Sequence, residues 1–361
     1  CPPQNFSMPR PDSSELSWKR PRPTPRSRSP EPISCERSVG EIVTPSSPIT
    51  TGERNVVEVE HLVKRFGAFT SVDDLSLKVG EGEVFGLLGS NGAGKTTAIR
   101  VLCGLLAPTS GRARILGIDV AKDPEALKHH IGYMTQRFSL YDDLTVMQNL
   151  RFFGGVYGLT GRAMRERESW AVATAGLEGK ENQLTQSLPG GWKQRLALAC
   201  AVLHGPRVVF LDEPTGGVDP LSRRRFWALI DQMAAEGITL MVTTHYLDEA
   251  ERCDRIALMH AGRLVAEGSV AELKEVFAGR VLLEVACARP LDAQFLLDTQ
   301  PGILEASVFG TRLHVVVTDE DAGRRRVAES LVKKEFGPVS IERIVPSLED
   351  VFIHCIEAEE E

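Results

Sequence analysis

Val84-Phe85-Gly86-Leu87-Leu88-Gly89-Ser90-Asn91-Gly92-Ala93-Gly94-Lys95-Thr96-Thr97 decides the fold of this 361-residue chain. Residues 84–88 are apolar, the composition of a buried strand. Glycines at 89, 92 and 94 then let the backbone turn tightly, and residues 95–105 read as a helix. A strand that enters a helix through such a turn suits phosphate, because the backbone amides and the helix N-terminus both present positive potential there. Lys95 is placed to reach the β- and γ-phosphates of a nucleotide, and the Thr96 hydroxyl to ligate Mg²⁺. A chance match to this spacing occurs in roughly one chain in a hundred of this length.

Further on, Val208-Val209-Phe210-Leu211-Asp212-Glu213 is an apolar strand ending in two carboxylates. Such a strand delivers Asp212 to the Mg²⁺ shell beside the phosphate loop, and Glu213 to the attacking water. An acidic strand end before the turn at Pro214 is the plainer reading. It loses weight once a phosphate loop precedes it. Together the two motifs specify a nucleoside triphosphatase and nothing finer.

Five further elements narrow the class. Leu188-Pro189-Gly190-Gly191-Trp192-Lys193-Gln194 resembles the signature Leu-Ser-Gly-Gly-x-x-Gln of ATP-binding cassette (ABC) proteins. Gln136 resembles their glutamine loop, Gly217-Val218-Asp219-Pro220 their Asp loop, and His245 their switch histidine. Phe66 stands where the family has the aromatic that stacks on adenine. Each alone is more often a core, cap or solvated residue; their order and spacing after the phosphate loop decide otherwise. The resemblance covers residues 56–277. It implies an α/β fold, a P-loop NTPase of the ABC cassette type with a mixed sheet and a helical subdomain. It implies that ATP and Mg²⁺ bind at Gly89, Ser90, Asn91, Gly92, Ala93, Gly94, Lys95, Thr96 and Thr97, with Thr96, Gln136 and Asp212 on the metal. Glu213, His245 and Lys95 would carry the hydrolysis. Two cassettes would sandwich two ATP molecules, Gly190 and Gly191 binding the γ-phosphate held by the other copy and Asp219 coupling the sites. Pro189 departs from the family's serine, which removes one hydroxyl from that cross-interface contact.

The ordinary composition and the net charge of −7 argue against a nucleic-acid partner. No stretch approaches the roughly 20 apolar residues that span a bilayer, so a transport role requires a separate integral membrane permease. The chain would then act at the cytoplasmic face of the membrane, held there through that permease, as a homodimer. Seven scattered cysteines form no Cys-x-x-Cys pair and read as buried reduced thiols.

The organisation is expected in three parts. Residues 1–53 are rich in Pro, Ser and Arg and are expected to be disordered. The start at Cys1 reads as processed, fragmentary or misassigned. Residues 54–278 form the ATP-binding domain. Its helical subdomain, about residues 137–187, is broken up by Gly154, Gly155, Gly158 and Gly161, and Phe138, Leu140 and Tyr141 are candidate permease contacts. Residues 279–361 read as strand, helix, two strands, helix, strand, a small α+β domain of ferredoxin-like order. Its closing Pro346-Ser347-Leu348-Glu349-Asp350-Val351-Phe352 is similar to that of cassette subunits serving drug, antibiotic or polysaccharide exporters. The plainer reading makes this part a stabilising appendage without a ligand. An importer subunit and a soluble ABC ATPase remain the alternatives to an exporter motor.

Overall fold

The computed structural model describes residues 55–136, 140–334 and 336–360. Segment 1–53, Phe138 and Glu361 lie outside the described residues. Strands β1 (Asn55–Phe66) and β2 (Phe69–Gly80) form an antiparallel hairpin. Strand β3 (Val84–Gly89) is buried at all six positions and leads through the phosphate loop into α1 (Lys95–Leu102). That helix stops short of residue 105 because Gly104 takes a positive φ of 70°. Strands β4 (Ser110–Ile115) and β5 (Ile118–Asp119) complete an antiparallel sheet of order β2-β1-β4-β5. Helix α2 (Pro124–Lys128), capped by Asp123, leads to β6 (Ile131–Met134).

The helical part comprises α3 (Val146–Val156), α4 (Gly161–Thr174) and α5 (Gly190–Val202). Thr145 and Gln148 close a capping box at the start of α3. Gly154 and Gly155 sit inside α3 rather than breaking it; a Cβ on Gly154 would meet Met164 Sδ at 2.6 Å, so the glycine lets α4 approach. The core here joins Val146 and Leu150 to Val172, Leu196 and Cys200. Asn149, fully buried, holds the preceding loop through Tyr141 N and O and Thr185 Oγ1. Tyr141 is exposed and packs edge-on against Phe152.

Then follow β7 (Val208–Asp212), α6 (Pro220–Ala235), β8 (Thr239–Thr244), α7 (Leu247–Ala250), β9 (Arg255–His260), β10 (Arg263–Gly268) and α8 (Val270–Lys274). The main sheet runs β10-β9-β3-β8-β7-β6. Strands β9, β3, β8, β7 and β6 are parallel, and β10 is an antiparallel edge. All positions of β3, β7 and β8 are buried, as a parallel sheet covered on both faces requires. The order brings the C-terminal ends of β3, β7 and β8 side by side, where ligands of open α/β sheets bind.

The C-terminal part holds β11 (Val281–Ala286), α9 (Pro290–Leu297), β12 (Ile303–Phe309), β13 (Arg312–Val317), α10 (Glu320–Lys333), β14 (Ser340–Ile344) and α11 (Leu348–Glu360). Its antiparallel sheet has the order β12-β13-β11-β14, the interleaved arrangement of a βαββαβ unit. One face of that sheet packs under α9 and α10. From its other side Leu282 and Val316, with Leu348 and Val351 of α11, enter the same core as Trp227, Ile230 and Ile256. Ser347 caps α11: Asp350 Oδ2 accepts from Ser347 N (2.7 Å) and Oγ (2.6 Å), and Ser347 Oγ accepts from Asp350 N (3.2 Å). Asp350 Oδ1 lies 2.5 Å from His314 Nδ1 on β13, tying the helix to the sheet.

Candidate nucleotide site

Close approach explains two glycines of the loop, Gly89 and Gly94. A Cβ on Gly89 would meet Met259 O of the neighbouring strand β9 at 2.4 Å. Gly94 has φ of 100°, and its Cβ would meet Ser71 O at 2.3 Å. Behind the loop Lys95 is almost fully buried, its Nζ donating to Gly89 O (2.7 Å) and Ser90 O (3.0 Å). Burial lowers the Lys95 pKa, and the carboxylates of Glu213 and Asp212 pull it partly back up. Thr97 Oγ1 accepts from Ser71 Oγ at 2.8 Å. An open cleft of about 380 Å³ is lined by Asn91–Thr97, Phe69, Ser71, Gln136 and Glu213.

Glu213 lines the cleft just beyond the end of β7, and Asp212, the last residue of that strand, is buried behind Thr96. Asp212 Oδ1 accepts from Thr96 Oγ1 (3.0 Å) and Thr243 Oγ1 (2.8 Å). Asp212 Oδ2 is buried with no hydrogen-bond partner among the described residues. Burial raises the Asp212 pKa against the two hydroxyl bonds. An orphan carboxylate oxygen beside a threonine hydroxyl costs about 1–3 kcal/mol in isolation. This donor set, hard oxygens with one left open, fits a Mg²⁺ ion.

Three polar groups converge on Glu213. Gln136 Nε2 donates to its Oε2 at 2.8 Å, and Lys95 Nζ lies 3.7 Å from Oε1. His245 Nδ1 is 3.4 Å from the same oxygen, within ion-pair reach but off the line of a hydrogen bond. The backbone of Glu213 is left-handed, with φ of 46°, and is fixed by its N–H donating to Thr243 O and Oγ1. Such a conformation costs a side-chain-bearing residue about 1–2 kcal/mol, which the two hydrogen bonds offset.

The remaining predicted residues lie elsewhere. Phe66 is 48% exposed and Phe69 64%, opposite one another in the β1–β2 register. Only Phe69 lines the cleft; Lys64 Nζ sits over the Phe66 ring at 5.1 Å. Gly190 and Gly191 open α5 and do not line the cleft. The helix starts at Gly190, with Pro189 at φ −57° and ψ 154° as its N-cap. No space limits Gly190, whereas a Cβ on Gly191 would meet Ser222 Oγ at 2.4 Å. Asp219 caps α6, its Oδ1 accepting from Ser222 N at 2.9 Å, and hydrogen bonding from the Ser222 side chain and backbone lowers its pKa.

Comparison with known proteins bears on this arrangement. Residues 72–216 match the ABC transporter family, and residues 268–356 match the C-terminal domain of DrrA1-3-like ATP-binding proteins. The daunorubicin/doxorubicin resistance ATP-binding protein DrrA of Streptomyces peucetius is 36% identical over 310 residues, spanning 84% of this chain and 93% of that protein. The chain belongs to the ABC transporter ATP-binding proteins. Among other relatives of this ABC chain, the Nod factor export ATP-binding protein I of Rhizobium etli is 33% identical over 298 residues, covering 82% of this chain and 92% of the relative. The probable multidrug ABC transporter ATP-binding protein YbhF of Escherichia coli is 53% identical over 225 residues, 62% of this chain; the match spans only 39% of YbhF. Among solved structures, CbiO1 of Clostridium perfringens, part of an ABC transporter complex, superposes with a TM-score of 0.57 at 31% identity, over 63% of this chain and 92% of CbiO1. An ATP-binding cassette solved as a dimer with ADP and Pi gives 0.54 at 26% identity, over 59% and 98%. No helix among the described residues of this ABC chain is long and apolar enough to cross a membrane.

Two features of the ABC site escape the motif reading. Phe69 enters the cleft from β2, and Thr243 of β8 fixes both Asp212 and the Glu213 backbone. Phe69 could be found as the partner of Phe66 across a two-residue turn. Thr243 carries no local signal, since it sits in an apolar strand 31 residues from Asp212.

Proposed function

We propose that the chain is the ATP-hydrolysing motor subunit of an ABC-type exporter, coupled to a separate membrane permease. The convergence of Lys95, Gln136 and His245 on Glu213, beside the phosphate loop, carries this reading. In it the loop amides of residues 89–97 hold the phosphates of ATP, and the buried Lys95 ammonium neutralises the β,γ-bridge. Thr96, Asp212 and Gln136 would hold Mg²⁺, which when bound neutralises charge on the phosphate oxygens. Glu213 accepts a proton from the attacking water while Gln136 and His245 fix the position of its carboxylate. Phe66 and Phe69 offer exposed ring faces for the base. Gly190 and Gly191, away from the protomer's own cleft, bind the γ-phosphate held by a second copy, and Asp219 links the paired sites. His245 meets that phosphate and senses its loss, which is how cleavage becomes motion.

Export is favoured over import by the DrrA-like C-terminal domain and by relatives whose names specify drug resistance and Nod factor export. Such a subunit works as a homodimer on the cytoplasmic face, where ATP is available. The test is to express the chain with its candidate permease, purify them together and measure ATP turnover. A stable complex with turnover is expected, and Lys95→Ala is expected to remove most ATP binding and hydrolysis while the protein stays folded. Near-normal turnover in that variant would overturn the assignment.

A further inference from the structure

Glu249 is a buried acid that the hydrolysis described above does not use. It is 1% exposed, on the short helix α7, four residues after His245. Its carboxylate is fully partnered. Thr215 Oγ1 donates to Oε1, Thr244 Oγ1 donates to Oε2 at 2.9 Å, and Arg223 Nε lies 3.2 Å from Oε1, within ion-pair reach but off the line of a hydrogen bond. Each partner leads to a different part of the nucleotide site. Thr215 stands two residues beyond Glu213, at the head of the loop that ends at Asp219. Thr244 directly precedes His245, and its Oγ1 also accepts from the backbone N–H of Tyr246 at 2.9 Å. One hydroxyl therefore bridges Glu249 to the peptide on the far side of His245 and closes a turn around the histidine. Arg223 lies one residue from Ser222, the residue that bonds Asp219 and packs on Gly191, and its guanidinium covers the Tyr246 ring at 4.2 Å. Tyr246 in turn lies against His245, ring centres 4.1 Å apart.

We infer that Glu249 is a positioning residue for hydrolysis: it sets the turn that places His245 against Glu213 and ties that turn to the Asp219 loop. The inference rests on the role proposed above for His245. A buried carboxylate with two hydroxyl donors and a guanidinium has a single low-energy orientation, because any rotation leaves a charged oxygen unpaired. The turn inherits that rigidity. The phosphate loop does not touch Glu249, so ATP affinity is untouched while turnover depends on it.

The experiment compares the wild-type chain, Glu249→Gln, His245→Ala and the double variant, each purified with its permease. Turnover, ATP affinity from a fluorescent ATP analogue and the urea midpoint are measured for all four. Glu249→Gln is expected to lower kcat about tenfold with the ATP Kd within about twofold, and to add no further loss once His245 is alanine. Glu249→Asp, which keeps the charge but retracts it, is expected to recover part of the rate, and it serves if the glutamine variant does not fold. A Glu249→Gln rate equal to wild type overturns the inference. So does a loss that multiplies the His245→Ala loss, because Glu249 then acts through something other than His245. Failure of the underlying reading looks different: His245→Ala would turn over as fast as wild type whatever stands at 249.

Discussion

Glu213 occupies a left-handed backbone position that few side-chain-bearing residues adopt, with its carboxylate held from three sides. Such strain, stabilised by the Thr243 bonds, belongs to residues whose direction matters more than their cost. Glu213→Gln keeps the shape and the site but removes the proton acceptor. Turnover is expected to fall by about 10²-fold or more while ATP binding persists, and ATP-bound dimers should accumulate. Single-turnover phosphate release with a size measurement checks both; normal release would refute the role. Pro189 offers a second test. Its φ of −57° suits serine equally well, so Pro189→Ser introduces no strain, and it returns a side-chain oxygen to a helix start that has no side-chain cap. The variant is expected to turn over as fast or faster, chiefly by reaching half-maximal rate at a lower ATP concentration. ATP titrations of the two proteins decide, and loss of activity would mean that the ring itself is structural.

Among the elements, α11 rests on the pairing of Asp350. Burial opposes the ionisation of this carboxyl, but the hydrogen bonds from His314 and Ser347 outweigh it and hold its pKa below the usual value. A carboxyl depressed on folding contributes stability that is present above its unfolded pKa and lost as pH falls through the folded one. Asp350→Ala removes the carboxylate that bonds back to Ser347 and leaves His314 without its nearest acid. A loss of about 1–3 kcal/mol near neutral pH is expected, shrinking below pH 3.8, the ordinary value that the cited shift starts from. Urea melts at the two pH values check it, and an undiminished difference in acid would refute the linkage. Elements of this kind also show what a sequence reading can reach. Strand β3, its loop and β7 were legible because apolar runs end in residues with one chemical use. Strands β4 and β10 were not, since Ser-Gly-Arg-Ala-Arg-Ile and Arg-Leu-Val-Ala-Glu-Gly place charges and glycines in partly exposed strands. The order of motifs pointed to Gln136 and His245, whereas Thr215, Thr243 and Glu249 acquire meaning only when the fold sets them together. Gly154 reads as a helix breaker until Met164 is seen to need its space.

On the scale of the whole molecule, the C-terminal sheet and α11 share a core with the ATP-binding sheet. Removing residues 281–361 would strip α11 from α8 and expose apolar side chains beneath it, Leu273 and Phe277 among them. The truncated chain is therefore expected to aggregate or lose most of its stability, as static light scattering would show; a monodisperse, fully active fragment would refute this. The cleft beside Lys95 includes no residue of 188–194, although those residues supply the signature glycines. If each cleft is completed by a neighbour's glycines, a defective copy harms more than itself. Mixed in equal amounts, wild-type and Lys95→Ala chains would form dimers of which only about a quarter have both halves intact. Activity near a quarter of the pure wild type is expected, and activity near one half would show that each chain works alone. In a cell, an allele of this kind would be dominant: one faulty gene copy would silence most of the transporters assembled beside a healthy one.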